Sequence, residues 1–89
     1  MTKILISYDL RIPGRNYQPL YSRLAEWSAS RVLESVWVAN VNASVAEVRN
    51  DLQRFIDGND GLLVVALTGA SAWQKISSEN ALRTTMEAA

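Results

Sequence analysis

Arg31-Val32-Leu33-Glu34-Ser35-Val36-Trp37-Val38-Ala39-Asn40 lies between two stretches of helical periodicity, and its reading decides the fold. Val and Trp content and the alternation of its residues favour β structure, with apolar side chains on most positions of both faces. Only residues 30–43 separate the two helical stretches, so two strands and a turn barely fit. The segment is therefore either a very short hairpin or one long bent strand.

Toward the N-terminus, Lys3-Ile4-Leu5-Ile6-Ser7-Tyr8 is β-branched, apolar and free of breakers, which predicts a central strand ending at Asp9. Leu10 to Asn16 contains Pro13-Gly14 and reads as a loop. Tyr17, Leu20, Tyr21, Leu24 and Trp27 then follow the spacing of one helical face, with Asn16 as N-cap, Pro19 in the first turn and an end by Ala29. Toward the C-terminus, Ser44-Val45-Ala46-Glu47 is a capping box, and Val45, Val48, Leu52, Phe55 and Ile56 continue as an apolar stripe. Gly58 is expected to close that helix in a left-handed conformation. Asp57 to Gly61 reads as a turn and Leu62 to Leu67 as a buried strand, broken by Thr68-Gly69-Ala70-Ser71. Beyond it, residues 72–76 suit a short edge strand and residues 78–86, with Leu82 and Met86 four apart, a short helix or a frayed tail.

This order predicts an α+β fold, a ferredoxin-like βαββαβ plait with two helices on one face of an antiparallel sheet. Residues 1–76 make the domain and residues 77–89 a C-terminal tail, mobile unless a partner subunit orders it. The other sheet face is expected to carry apolar side chains, one side of Ile4 and Ile6 with Trp37 or Val36, and to need a cover. In a chain of 89 residues, which buries only roughly 60% of its unfolded surface, a second copy is the natural cover, so a homodimer is expected.

Composition narrows the chemistry. Hydrophobic residues make up 48% and charged residues 20%, which predicts a folded chain. Cys and His are absent, so disulfides, thiolate or imidazole metal sites and His-based triads are excluded, leaving carboxylates, hydroxyls, Lys and Arg. The longest strictly apolar run, Leu62 to Leu67, is far below the roughly 20 residues of a membrane span, and the reading expects a soluble, cytoplasmic chain with no membrane contact. Nine Lys plus Arg balance nine Asp plus Glu. Their distribution is uneven: residues 1–31 hold Lys3, Arg11, Arg15, Arg23 and Arg31 against Asp9 and Glu26, whereas residues 32–62 hold Arg49 and Arg54 against five acids. The first part could build a basic edge for phosphates, though charges this sparse more often form an ordinary solvated face.

With both strings in place, Tyr8-Asp9-Leu10 closing strand one and Arg31-Val32-Leu33-Glu34-Ser35-Val36-Trp37 in the middle, residues 1–68 resemble the small ferredoxin-like subunit of the CRISPR adaptation complex, the partner of the spacer integrase. They are also similar to the VapD-type toxins of the same fold. Leu33 stands where the family pattern has a polar Gln, and the C-terminal segment is unlike the family's exchanged strand. The resemblance implies a homodimer that binds DNA or RNA, contacts an integrase-type protein and uses Asp9, facing its copy across a two-fold axis, to hold Mg²⁺ or Mn²⁺ for endonuclease chemistry.

From the residues themselves, Asp9 at a strand end suits either such a metal or the capping of the next loop. Arg11, Arg15 and Arg31 are candidate nucleic-acid contacts, since guanidinium forks match phosphate geometry, and solubility is the alternative for the loop pair. Tyr8, Ser35 and Trp37 are candidate dimer-interface residues, with core packing and backbone hydrogen bonding as their plainer roles. Two function classes follow. One is a homodimeric nucleic-acid-binding protein with metal-dependent nuclease activity; the other is a non-catalytic interaction module, a stand-alone or virus-borne relative, that binds protein or a small anionic ligand.

Overall fold

A computed structural model describes residues 1–68 and 70–87. The segment between the helices is a hairpin of the shortest kind, with β2 (Ser30–Leu33) and β3 (Val36–Val41) joined through Glu34 and Ser35. The register shifts between Arg31 and Leu33, which lets two strands turn within so few residues. Around it are β1 (Thr2–Asp9), α1 (Gln18–Glu26), α2 (Val45–Leu52), a 3-10 turn at Gln53–Phe55, β4 (Gly61–Ala66) and α3 (Glu79–Glu87). The sheet runs β2-β3-β1-β4 with every neighbouring pair antiparallel. The fold is ferredoxin-like α+β, as the order of elements predicts.

Both helices end where local chemistry stops them. At α1, Ser28 adopts φ 55°, and the Ala29 and Ser28 amides donate to the carbonyls of Leu24 and Ala25, a left-handed closure made without glycine. At α2 the capping box forms in both directions, Glu47 N to Ser44 Oγ at 3.1 Å and Ser44 N to Glu47 Oε1 at 3.0 Å. The backbone turns extended at Ile56, before Gly58 is reached, so the expected left-handed cap at Gly58 is absent. The chain is turned instead by side chains: Asp57 Oδ2 accepts from Asn59 N and Asp60 Oδ2 from Asp57 N, both at 2.8 Å.

Period-two alternation sends Ile4, Ile6 and Tyr8 of β1 toward the helices, where Ile4, Ile6, Leu20, Leu24 and Leu52 are fully buried. Trp37 also packs on this side, so of the residues expected on the opposite face only Val36 lies there, beside Val38 and Val32. That opposite face is covered over β2 and β3 by the chain's own C-terminal segment. Leu82 of α3 is buried against Val32 and Val38, with Trp73, Ile76 and Met86 packed around it. Ser77 N donates to Val32 O at 2.9 Å and Lys3 Nζ to Met86 O at 2.6 Å, placing a cation at the helix C-terminus. Of the two alternatives for the tail, the short helix is the one formed, ordered by the chain itself without a partner subunit, and residues 72–76 are an irregular linker instead of an edge strand; residues 88–89 lie outside the described residues. Because Leu82 anchors α3, Leu82→Ala should cost about 2 kcal/mol. Chemical denaturation checks this, and an unchanged midpoint would mean that α3 adds nothing to the fold.

The remaining half of this face is bare. Leu63 and Val65 of β4 are 56% and 39% exposed, and Leu5 lies beside them on β1.

Candidate functional site

Tyr8, the last inward residue of β1, is only 7% exposed, and its hydroxyl organises one end of the sheet. It accepts from Trp37 Nε1 at 3.0 Å and from Arg31 Nη2 at 3.1 Å, and Arg31 Nε donates to the Glu34 carbonyl at 2.8 Å. The Arg31 guanidinium also stands 5.2 Å from the Tyr21 ring centroid and 5.5 Å from that of Trp37. Those two rings stack on each other, 6.4 Å apart at 17°. Among the described residues no carboxylate forms an ion pair with Arg31. Aromatic faces and two hydrogen bonds fix the group, and three of its five N–H donors are left over.

Beside it is a cleft of about 420 Å³ lined by Tyr8, Asp9, Leu10, Tyr17, Tyr21, Arg31, Glu34 and Ser35. Four of the seven sequence-predicted site residues, Tyr8, Asp9, Arg31 and Ser35, thus come together. Trp37 stands behind them as a donor to Tyr8. Tyr8 and Trp37 spend their contacts inside the chain, and the Ser35 carbonyl accepts from the Tyr8 amide at 3.2 Å. Arg11 and Arg15 bind the Asp57–Asp60 turn, through the Asn59 carbonyl and the Asp57 carboxylate, while Arg11 also meets Asp9 and the Arg15 guanidinium stands 5.6 Å from the Tyr17 ring centroid.

Asp9 is exposed, its side chain 70% open, and Oδ2 accepts from Arg11 Nε at 3.0 Å. Arg11 continues to the Asn59 carbonyl at 2.9 Å. Gly61 permits this crossing, because a Cβ there would come within 3.2 Å of Arg11 Nη2. Among the described residues no group of three potential metal ligands converges. One exposed carboxylate already paired with a guanidinium does not fit a resident Mg²⁺ or Mn²⁺ in a single chain, because such an ion sheds its water reluctantly and needs more than one anionic ligand.

The acid that holds this end together is Asp60, read in the sequence only as part of a turn. It accepts from Arg11 N at 2.7 Å, from Tyr17 Oη at 2.8 Å and from Asp57 N at 2.8 Å, tying the loop after β1, the start of α1 and the turn before β4. Partial burial pulls its carboxyl upward, but the amides of Arg11 and Asp57, the Tyr17 hydroxyl and the charge of Arg15 outweigh burial and hold it below its ordinary value. A carboxylate depressed by folding stabilises fully above its unfolded pKa, and that contribution vanishes as pH falls through the lower folded value. Asp60→Asn should therefore unfold more easily at neutral pH and lose less stability on acidification than the native chain. Thermal melts from neutral pH down through the carboxylate range check this; parallel curves would contradict it.

Tyr21 and Glu34 were also not singled out in the sequence. Tyr17 and Tyr21 are four apart on a helix, so their common face was legible, but the same spacing describes ordinary core packing. A larger hollow of about 520 Å³ lies at the opposite end of β1, lined by Arg23, Glu26, Trp27 and Asp51 among others. Its Arg23 is consumed by Asp51 and Glu26, each at 2.6 Å, whereas Arg31 has no carboxylate partner among the described residues.

These features define a four-stranded ferredoxin-like domain with an aromatic-backed arginine at one end of its sheet. No protein-family model matches the chain, and no solved structure matches it. Among the described residues no helix is long and apolar enough to cross a membrane.

Proposed function

We propose that the chain is a nucleic-acid-binding protein that works as a homodimer and seats a strand across the Arg31 end of its sheet. The observation that carries this reading is Arg31, which is oriented by Tyr8, Tyr21 and Trp37, unpaired with any described carboxylate, and still able to donate to phosphate oxygens. Tyr17 in the adjoining cleft supplies an aromatic ring for an unpaired base, while Tyr21, stacked on Trp37, backs the arginine. The balanced net charge predicts modest affinity with a shallow salt dependence, since few phosphates are neutralised. The small CRISPR-adaptation subunit that residues 1–68 resemble binds nucleic acid, which agrees with this reading.

Fluorescence anisotropy with labelled single- and double-stranded DNA and RNA at low salt tests it, and absence of binding to all four would refute it. Repeating the incubation with Mg²⁺ or Mn²⁺ and with chelator decides whether hydrolysis accompanies binding; only cleavage abolished by Asp9→Asn would assign it to a pair of Asp9 carboxylates from two copies.

For the second copy, the bare strip of Leu5, Leu63 and Val65 and the unpaired outer edge of β4 offer the apolar contact. Light scattering at micromolar concentration should give twice 9.9 kDa, and Leu63→Ser should lower it toward one chain. A native monomer would refute the dimer. The same strip favours a second reading, a module that binds a different protein without nucleic acid, and a monomer that binds no oligonucleotide would favour it.

A further inference from the structure

We infer that β4 pairs with β4 of a second copy, antiparallel about Val64, so that two four-stranded sheets join into one continuous sheet. This rests on the homodimer proposed above and adds the strand that makes it and its register.

The two edges of the sheet are built differently. β2, at one edge, has four residues, carries Arg31 and shifts register between Arg31 and Leu33. Short length, a charge and a bulge are the devices that keep a sheet edge from pairing with another chain. β4, at the other edge, has none of them: Gly61–Ala66 holds no charged residue and no proline, and its six residues pair with β1 in unbroken register. Leu67 N donates to Lys3 O at 2.8 Å, which fixes the phase of that ladder. Gly61, Leu63 and Val65 therefore turn their amides and carbonyls toward β1, while those of Leu62, Val64 and Ala66 point outward, where the sheet has no further strand.

Area decides how a second copy sits on this side of the molecule. A stable interface takes about 800 Å² from each partner, which is a large share of the 5579 Å² that this chain exposes. Leu5, Leu63 and Val65 cannot supply it alone. On the same face α3 stands about 10 Å proud of β2 and β3 with Glu79, Asn80, Arg83 and Thr84 exposed, which holds a second sheet laid flat off the strip. Pairing at the edge instead adds about six backbone hydrogen bonds. It also brings in the flank of α2, where Val45, Ala46 and Arg49 line a hollow of about 260 Å³ with Leu62, Leu63 and Val64.

The occupant is a second copy because the strand complements itself. With Val64 opposite the partner's Val64, the outward groups of Leu62 meet those of the partner's Ala66, and Leu63 stands opposite the partner's Val65. That last pair falls at a non-hydrogen-bonded position, where side chains lie closest, and it merges two apolar strips into one band. No charge on β4 opposes its own copy. β2 and its Arg31 remain at both outer edges, so the pairing leaves both proposed nucleic-acid sites open.

The chain has no cysteine, so introduced thiols report the register. Leu63→Cys protein is mixed with Val65→Cys protein under mild oxidation. In this register the two positions oppose each other with Cα atoms about 4.5 Å apart, within disulfide reach, whereas two copies of the same position are diagonal, about 7–8 Å apart. The mixture should give covalent dimer, and either variant alone should give little. In the native chain, amide exchange at Leu62, Val64 and Ala66 should quicken at least about tenfold on dilution into the monomer, while the Leu63 and Val65 amides, bonded to β1, keep their protection. A dimer by light scattering in which either variant alone crosslinks as well as the mixture, or in which the three outward amides ignore dilution, would overturn the edge pairing and leave the dimer intact. A native monomer at micromolar concentration would refute both.

Discussion

Arg31→Ala is expected to weaken single-strand binding by about ten- to a hundredfold, the effect of removing a charge-assisted phosphate contact together with the stacking it supports. Its fold should survive, because the lost partners are one hydroxyl, one carbonyl and two aromatic faces around an exposed side chain. The slope of log affinity against log salt should fall by about one, the signature of one released counterion. Arg31→Lys keeps the charge but loses the planar fork and its stacking, so it should recover only part of the affinity. Anisotropy titrations over a salt series read all three quantities. Undiminished binding by Arg31→Ala would move the site elsewhere.

The largest stability effect is expected at Ile6→Ala. Ile6 is fully buried in the central strand, paired to Trp37 on one side and Val64 on the other, beneath the two helices. Truncating such a residue costs about 2–5 kcal/mol through lost apolar contact and the cavity left behind. For a domain of this size each kcal/mol lowers Tm by roughly 4–8 °C, so Ile6→Ala should melt at least about 10 °C below the native chain. Leu5→Ala, one position along on the bare face, should cost far less in the monomer. Equal losses at the two positions would contradict the assignment of faces.

The contrast between Leu5 and Ile6 also marks what a sequence can convey. A run that is apolar at consecutive positions announces a strand but not which side meets the helices, so sequence alone leaves Ile4, Ile6 and Trp37 available to the open face. The capping box at Ser44 and Glu47 was legible because it is local, four residues whose hydrogen bonds need nothing from the rest of the chain. The hairpin was legible as a spacing problem, and the structure solves it with a two-residue connection and a register shift. The place of α3 was not legible. Leu82 and Met86 are too few to specify a docking face, and what holds them is Val32 and Val38, some fifty residues earlier in the chain.

The site divides in the same way. Tyr8, Asp9, Arg31 and Ser35 were marked by their strings and do meet at one cleft. Asp9 is engaged by Arg11, while Arg31 has no carboxylate partner among the described residues and stands in contact with two rings. Nothing in the spacing of residues 8, 21, 31 and 37 announces a shared hydrogen-bonding and stacking cluster, because α1 and the hairpin bring them together only in the fold. Asp60 was missed for the same reason, since two of its three partners are more than forty residues away.

Three tryptophans report on three separate parts of the molecule: Trp37 donates to Tyr8 at the proposed site, Trp27 lines the hollow at the opposite end of β1, and Trp73 packs beneath α3. Indole N–H resonances in a ¹H–¹⁵N spectrum, followed while a short single-stranded oligonucleotide is added, therefore test the location of the binding site directly. A strand seated at Arg31 requires the Trp37 indole to shift in a saturable way together with the Arg31 Nε–H, while the Trp27 and Trp73 indoles stay within the spread of a control titration. Saturable shifts at Trp27 or Trp73 with Trp37 unmoved, or no shift at any of the three, would contradict it.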